Sequence, residues 1–295
     1  MPSFFLLIRT RSVAAGTSLV LLAFLAGIPG RGPRAFAAVQ PPTATPASTI
    51  ATPSASPTPA TLSAPAPLVI GASVAGRPLE AYRFGEGRSR RMMVAGIHGG
   101  YEWNTIALAD ELIAYLAAHP HAVPPERTLY ILRALNPDGE ARGHGPEGRA
   151  NDNGVDLNRN WPVNWLPSWP GGGCWGFLEI TPGRTPVSEP ETRALMHFAF
   201  DTELDALISY HSAALGIFPG GSPPDPASAR LAEAIAAEAP YPYPPIETGC
   251  IYSGTLPDWA AASGIPAVDL ELSTHWGTDF EVNLRILETF LAWEP

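Results

Sequence analysis

From Leu68 onward, the chain alternates short apolar runs with longer stretches in which apolar residues recur every three or four positions. Short apolar runs between turn residues are typical of buried strands, and the longer period is typical of amphipathic helices. The first pattern predicts strands at residues 79–84, 91–97, 129–134, 204–210 and 267–272. The second predicts helices at residues 104–118, 188–200, 226–239, 256–263 and 280–293.

Strands that alternate with helices predict an α/β domain with a mainly parallel or mixed sheet, here over residues 68–295. The helix at 188–200 opens with Ser188-Glu189-Pro190-Glu191, a capping-box pattern with a proline near the first helical position. Residues 162–186 are rich in Gly, Pro and Trp and show no periodicity. Aperiodic stretches of this length in compact domains are usually functional, and we expect this one to line a pocket.

The first 37 residues have the pattern of an export signal. Arg9 and Arg11 precede an apolar stretch at 13–28, and Ala35-Phe36-Ala37 follows as a small-x-small cleavage pattern. An uncleaved membrane anchor is the alternative, but the apolar stretch is shorter than the ~20 residues of a full span. Either interpretation places the rest of the chain outside the cytoplasm, in the cell envelope or secreted.

Residues 38–67 carry no charge and consist mostly of Pro, Ala, Thr and Ser. A segment of this composition buries too little apolar surface to fold, and its prolines keep it extended. We therefore interpret it as a linker between the signal peptide and the domain.

The chain has a formal net charge of −10, and all 18 of its basic residues are arginines. Without lysine, Schiff-base and lysine-nucleophile chemistry are excluded. A protein that binds nucleic acids or anionic membranes needs basic surface patches, so we expect neither as a partner of this acidic chain. The one exception would be an uncleaved N-terminal anchor inserted in a bilayer.

Cys174 and Cys250 can form a disulfide in an exported protein. Two unpaired thiols are the alternative, and the spacing of the cysteines does not decide between them.

The run Val94-Ala95-Gly96-Ile97-His98-Gly99-Gly100-Tyr101-Glu102 takes a predicted strand into a histidine, two glycines and a glutamate. Active sites of open α/β sheets lie at the carboxyl ends of strands, and glycines allow the backbone to turn sharply there. Histidine nitrogen and carboxylate oxygen are both ordinary zinc ligands. On its own, such a pair is more often a pair of surface residues than a metal site.

Two later strands also end in residues that suit a metal site. Leu207-Ile208-Ser209-Tyr210-His211 ends in a histidine, which would complete the three protein ligands of a catalytic zinc; a buried histidine bonded to backbone is the alternative. Ala267-Val268-Asp269-Leu270-Glu271 places two carboxylates on one face of a strand. A carboxylate inside an apolar strand is costly to bury unless it has an ion-pair or hydrogen-bonding partner or a catalytic function. We expect Glu271 to act as the general base. Asp269 either orients the residues of the site or is purely structural.

A fourth motif, Gly154-Val155-Asp156-Leu157-Asn158-Arg159-Asn160, presents an arginine beside an amide. A guanidinium matches a carboxylate with two parallel hydrogen bonds, and the amide adds donors. A structural salt bridge is the alternative. Asn136-Pro137-Asp138-Gly139 upstream is a turn pattern, and Arg142 and Arg149 lie between the two motifs.

Together and in this order, the motifs resemble those of the carboxypeptidase A-type zinc peptidases, a superfamily that includes murein-peptide amidases. The resemblance runs from about Leu68 to near the C-terminus. Gly71-Ala72-Ser73-Val74-Ala75-Gly76-Arg77-Pro78-Leu79 resembles the opening segment of the family, and the motifs quoted above follow. It implies a mixed, mainly parallel eight-stranded sheet flanked by helices, and one zinc ion per chain. It also implies roles for particular residues: His98, Glu102 and His211 as zinc ligands, Glu271 as general base, Arg149 as oxyanion stabiliser, and Asn158, Arg159 and Tyr252 as substrate-binding residues.

The chain departs from the family pattern at two points that affect the site residues. Three residues separate His98 from Glu102, where the family usually has two, and we expect a bulge in the glycine-rich turn to absorb the extra one. The segment before Asn158 is shorter than in the digestive enzymes, so Arg142 rivals Arg149.

The resemblance implies a metallocarboxypeptidase that hydrolyses an amide bond next to a free C-terminal carboxylate in peptides. The alternatives are a murein-peptide amidase that cuts γ-D-glutamyl–diaminopimelate bonds and a deacylase of N-acyl amino acids. An inactive module that binds the cell wall through its tryptophans is a distant fourth possibility. The expected partner is thus a peptide or muropeptide substrate.

Overall fold

The computed structural model describes residues 65–169 and 178–295. The predicted signal peptide (1–37), nearly all of the predicted linker (38–67) and Cys174 lie outside these residues, so the domain boundaries and the cysteine pair stay predictions. Cys250 is not a free thiol. None of the helices in the described ranges is both long and apolar enough to cross a bilayer.

The described residues form seven strands: β1 (Leu68–Ala72), β2 (Pro78–Phe84), β3 (Ser89–Val94), β4 (Arg127–Leu132), β5 (Ala206–Ser212), β6 (Ile217–Pro219) and β7 (Ala267–Leu272). They make one sheet in the order β1-β2-β4-β3-β5-β7-β6. The central strands β4, β3, β5 and β7 are parallel, while β1 and β2 at one edge and β6 at the other run antiparallel to their neighbours. This mixed sheet with a parallel centre confirms the predicted fold class.

Helices cover both faces of the sheet: α1 (Trp103–Ala118), α2 (Pro137–Arg142), α3 (Pro190–Asp201), α4 (Pro226–Glu238), α5 (Leu256–Ala262) and α6 (Phe280–Ala292). Because side chains alternate along a strand, Ile208 and Tyr210 of β5 point to one face, where they pack with α1, α4 and α6, while Leu207 points to the other face, with α3 and α5. His211 points to the same face as Leu207.

The described residues form seven strands, one fewer than the eight that we expected. Residues 241–246 run beside β6, where Ile217 donates its N–H to Pro242 O and Ile246 donates to Leu215 O. Three residues of this segment are prolines (Pro242, Pro244 and Pro245), which have no N–H to donate. The ladder therefore stays incomplete, and the segment follows the edge of the sheet without becoming a strand.

Asp138 ties the turn between β1 and β2 to α2. Its buried carboxylate accepts hydrogen bonds from Ser73 Oγ (2.6 Å), the N–H of Ala75 (3.1 Å) and Arg77 Nη1 (2.7 Å). Burial alone would raise the pKa of Asp138, but these donors outweigh it and lower the pKa. The carboxylate therefore stabilises the fold above the ordinary Asp pKa of about 3.9, and this contribution is lost as the pH falls through the lowered value.

We expect the substitution Asp138→Asn to reduce the free energy of unfolding by about 1–3 kcal/mol near pH 7, because an amide nitrogen then faces buried donors. Urea unfolding at pH 7 and below pH 4 measures the effect, which should shrink in acid. Asp110→Asn, which alters a half-exposed ion pair with Arg133, is the control and should change stability by no more than about 0.5 kcal/mol. Equal losses in the two variants would contradict the prediction.

Candidate metal centre

The register between β5 and β7 brings two predicted site residues side by side. His211 is paired with Glu271 and Ser209 with Asp269, and parallel partners point to the same face of the sheet. The four side chains therefore share the face that carries α3 and α5, at the carboxyl ends of the parallel strands. Ligand sites of open α/β sheets lie at this end.

The chain after β3 turns to place His98 and Glu102 at the same point. Residues Gly99–Glu102 form a short 3₁₀ helix, in which Tyr101 donates its N–H to His98 O at 3.1 Å. Gly99 has φ +45°, and a Cβ on Gly100 would lie 1.9 Å from Gly143 O. This four-residue 3₁₀ helix, rather than a bulge, accommodates the extra residue between His98 and Glu102, and the carboxylate reaches the histidine.

His98, Glu102 and His211 converge as a buried cluster whose ligand atoms all lie within 4.8 Å of one another. His98 Nδ1 lies 2.8 Å from Glu102 Oε1, and His211 Nδ1 lies 3.1 Å from Glu102 Oε2. The two Nδ1 atoms are 3.2 Å apart. Two nitrogens bound to one tetrahedral zinc at ~2.0–2.1 Å are roughly 3.3 Å apart, so the donor set fits zinc.

Carboxylates on the far side of both imidazoles support the same conclusion. His98 Nε2 lies 3.0 Å from Asp156 Oδ1, and His211 Nε2 lies 3.2 Å from Asp269 Oδ1. A carboxylate beside Nε2 favours a proton on that nitrogen, which leaves the lone pair of Nδ1 for a metal. Supports of this kind are usual around zinc-bound histidines.

The charges within the cluster favour binding of a cation. Burial opposes ionisation of Glu102, but His98 and His211 outweigh it and hold the pKa of Glu102 far below its ordinary value. Burial likewise lowers the pKa of His211, yet Asp269 and Glu102 outweigh it and raise this pKa well above the ordinary value. The same negative charges that favour the cationic form of His211 would also favour a divalent cation beside it.

Glu271 lines the same cavity, and one of its two carboxyl oxygens lacks a hydrogen-bond donor within the described part of the chain. Burial, followed by the nearby carboxylate of Glu102, raises the pKa of Glu271 to about 8. No donor among the described residues meets its buried Oε2 atom. A carboxyl group with a raised pKa and a free oxygen next to a metal cluster is suited to accept and return a proton.

The cavity around the cluster has a volume of about 650 Å³ and contains every site residue predicted from the sequence. Arg149 is buried, with Nη1 3.3 Å from Glu102 Oε1 and Nε 3.0 Å from Asp156 Oδ2. Arg142, its rival, does not line the cavity; it contacts Asp152 and the backbone of residues 147 and 150.

Arg159 and Tyr252 form one wall of the cavity. The Arg159 guanidinium lies 5.4 Å from the centre of the Tyr252 ring, and Tyr252 is partly exposed, with its hydroxyl bonded to Thr248 at 2.9 Å. Burial lowers the pKa of Arg159, with a further lowering by the charge of Arg149 that Asp156 opposes. A buried guanidinium on a cavity wall is suited to bind a carboxylate.

Asn158 also lines the cavity, but both ends of its amide are already bonded within the protein. Nδ2 donates to Asp269 Oδ2 at 2.9 Å, and Oδ1 accepts the N–H of Leu256 at 2.9 Å. Its predicted contact with substrate therefore stays a prediction, whereas the contacts of Asp269 show that this carboxylate supports the site.

Asp156 and His275 lie at the site, although neither was assigned a role from the sequence. Asp156 is fully buried and connects His98, Arg149 and the N–H of Asn158. The sequence signal that could have indicated this role is its position two residues before Asn158, within the motif at residues 154–160. His275 lines the cavity from the loop after β7, and nothing in its sequence neighbourhood distinguished it from a surface histidine.

The mixed sheet with its parallel centre, the buried cluster and the adjacent carboxyl group define a metal-dependent hydrolase. Residues 66–280 match the zinc carboxypeptidase family, and the chain belongs to this family. Zinc is accordingly its cofactor, as the sequence predicted.

Known relatives include both amidases and carboxypeptidases. Murein peptide amidase A of Escherichia coli (strain K12) is 27% identical over 215 residues, covering 70% of this chain and 81% of the amidase. Carboxypeptidase A6 of Mus musculus is 26% identical over 264 residues, covering 76% of this chain and 60% of the relative. The crystal structure of murein-tripeptide amidase MpaA from Escherichia coli O157 has a TM-score of 0.58 at 25% identity, covering 78% of this chain and 93% of that one.

Proposed function

We propose that this enzyme hydrolyses the amide bond next to a free C-terminal carboxylate in peptides. The observation that carries the proposal is the presence, in one cavity, of the buried His98–Glu102–His211 cluster, the free carboxyl of Glu271 and the guanidinium of Arg159. The cluster supplies three protein ligands for zinc, as catalytic zinc sites require. Membership of the zinc carboxypeptidase family supports the same reaction.

Zinc bound by His98, Glu102 and His211 would supply a Lewis acid that activates water and polarises the substrate carbonyl. Glu271 accepts a proton from the attacking water and returns it to the nitrogen of the leaving amine. Arg149, whose guanidinium lies beside the cluster, stabilises the negative charge that develops on the carbonyl oxygen. Asp156 holds the orientation of both His98 and Arg149.

Arg159 sets the register of cleavage. A terminal carboxylate bound to its guanidinium places the last amide of the chain at the metal cluster. Tyr252, half-exposed above Arg159, covers the bound residue. The enzyme should therefore release one residue from a free C-terminus and leave a C-terminally amidated peptide intact.

We expect the substitution Arg159→Ala to lower kcat/KM for a free peptide by roughly 10²-fold, because a charge-assisted bond to the substrate is worth about 1.5–3 kcal/mol. Steady-state assays of a peptide and its C-terminal amide, with wild-type and variant enzyme, measure the effect. The exposed arginine of α4 allows a matched control, Arg230→Ala, which should behave as wild type. Equal cleavage of peptide and amide by the wild type would refute the proposal.

Peptidoglycan stem peptides are a second candidate substrate. The murein peptide amidase relative aligns over 81% of its own length, against 60% for carboxypeptidase A6. The proposed export pattern and linker would place the enzyme in the cell envelope, where these peptides occur. Assays of purified muropeptides and of α-linked peptides with the same enzyme distinguish the two candidate substrates.

N-terminal sequencing of the exported protein tests the predicted signal peptide. We expect the mature chain to begin at Ala38.

A further inference from the structure

His275 and Arg159 both line the catalytic cavity. Asn158 reaches the cluster from the face of the sheet that carries His211, because its amide donates to Asp269 on that face, and Arg159 is the next residue of the chain. Ser212, the next residue of β5, points to the face that carries α1 and α6, and there its hydroxyl contacts His275 Nδ1 at 3.1 Å. A substrate whose terminal carboxylate lies on Arg159 and whose scissile amide lies at the cluster therefore extends its acyl part towards His275.

A chain of hydrogen bonds determines which nitrogen of His275 carries the proton. The amide of Asn104 is fully buried, and its Nδ2 donates to Thr274 O (2.7 Å) and Gly277 O (2.8 Å). Two carbonyl acceptors fix the orientation of this amide, so Asn104 Oδ1 must be an acceptor. Ser212 Oγ donates to it at 2.9 Å.

The single hydrogen of the Ser212 hydroxyl is used by Asn104, so Ser212 Oγ can only accept from His275. Neutral His275 is therefore the Nδ1–H tautomer, and its Nε2 carries a lone pair. Within the described residues no donor is hydrogen-bonded to Nε2, and the ring of Tyr101 lies 5.6 Å from the ring of His275, centre to centre. His275 lines the cavity, and this tautomer gives its ring one fixed acceptor, Nε2.

We propose that His275 Nε2 accepts a hydrogen bond from the backbone N–H of the substrate residue on the acyl side of the scissile amide. Peptides carry this N–H, whereas simple N-acyl amino acids have a CH₂ group in its place. The contact makes His275 a specificity-determining residue that selects peptides over N-acyl amino acids. This inference rests on the proposed function and names the substrate class of the same site.

Two substitutions separate the Nε2 contact from the Nδ1 contact. The amide nitrogen of asparagine occupies the place of Nδ1, so His275→Asn keeps the bond to Ser212 and removes the Nε2 acceptor. The longer glutamine places its carbonyl oxygen near Nε2, so His275→Gln keeps an acceptor in the cavity and loses the bond to Ser212. His121→Asn, at an exposed position of the loop after α1, is the matched control.

The experiment measures kcat/KM of the zinc-loaded enzymes on an N-acyl dipeptide and on the analogue in which CH₂ replaces the acyl-residue N–H. A muropeptide is the third substrate. We expect the wild type, His121→Asn and His275→Gln to prefer the dipeptide roughly five- to tenfold, as one neutral hydrogen bond allows. For His275→Asn the ratio should fall to near one.

A preference retained by His275→Asn and lost by His275→Gln would overturn the inference and assign His275 a structural role through Ser212. A wild type that cuts both compounds equally would overturn it while leaving the hydrolase function intact. A wild type that cuts the muropeptide alone would refute the α-linked peptide substrate and this inference together.

Discussion

Replacing Glu271 by glutamine is expected to lower kcat by roughly 10²–10⁴-fold while the protein still binds one zinc ion per chain. Glutamine has nearly the same shape, but its amide can neither accept the proton of water nor return it to the leaving amine. Glu271 is not among the three clustered ligand residues, so the metal should remain. Steady-state kinetics together with elemental analysis of the purified variant measure both quantities.

The control is Glu288→Gln, which removes an exposed carboxylate on α6 and should leave kcat within twofold of the wild type, since nothing near the cavity changes. If Glu271→Gln kept more than a tenth of the wild-type kcat, another group would have to be the general base. Loss of zinc in this variant would instead mean that Glu271 is a ligand.

The substitution His211→Ala should abolish both zinc binding and hydrolysis. It removes one of three converging ligand atoms and leaves Asp269 and Glu102 without their shared partner. Loss of a supporting residue around a zinc ligand costs about 10–100-fold in metal affinity, and loss of the ligand itself should cost more. Metal titration and activity of the variant test this.

Because His211 is buried, the variant also needs a test that does not depend on its folding. Chelation of zinc from the wild type should remove activity, and added zinc should restore it. His197→Ala, at an exposed position of α3, is the matched control. Activity that survives complete removal of metal from the wild type would exclude metal-dependent hydrolysis.

Local apolar patterns were sufficient to locate the core elements of the fold. The strand predicted at 267–272 is β7, and the helix predicted at 104–118 is α1 with one more residue. The sequence did not predict the two edge strands, β1 and β6, or the short helix α2. Edge strands are partly exposed and β6 has only three residues, so neither produces a clear apolar run.

The predicted capping box shows how a long-range contact can displace a local pattern. Ser188 was expected to cap α3, but the helix starts at Pro190, and no side chain caps it. Instead, the Ser188 hydroxyl donates to Glu189 Oε1 and accepts from Asn160 Nδ2, while Asn160 Oδ1 accepts the N–H of Glu189. Asn160 lies 28 residues before Ser188, outside the range of any helix-start pattern.

The sequence by itself determined the alternation of strands and helices and which strand ends carry His98, His211 and Glu271, because side-chain periodicity and chain order are local properties. Only the tertiary structure decided that a 3₁₀ turn lets Glu102 reach the cluster, that Asp156 joins His98 to Arg149, and that Asn158 is bonded to Asp269 and Leu256. It also decided the tautomer of His275, through Asn104. These partners are far apart along the chain, and only the packing of the sheet and its loops brings their hydrogen-bonding atoms within reach of one another.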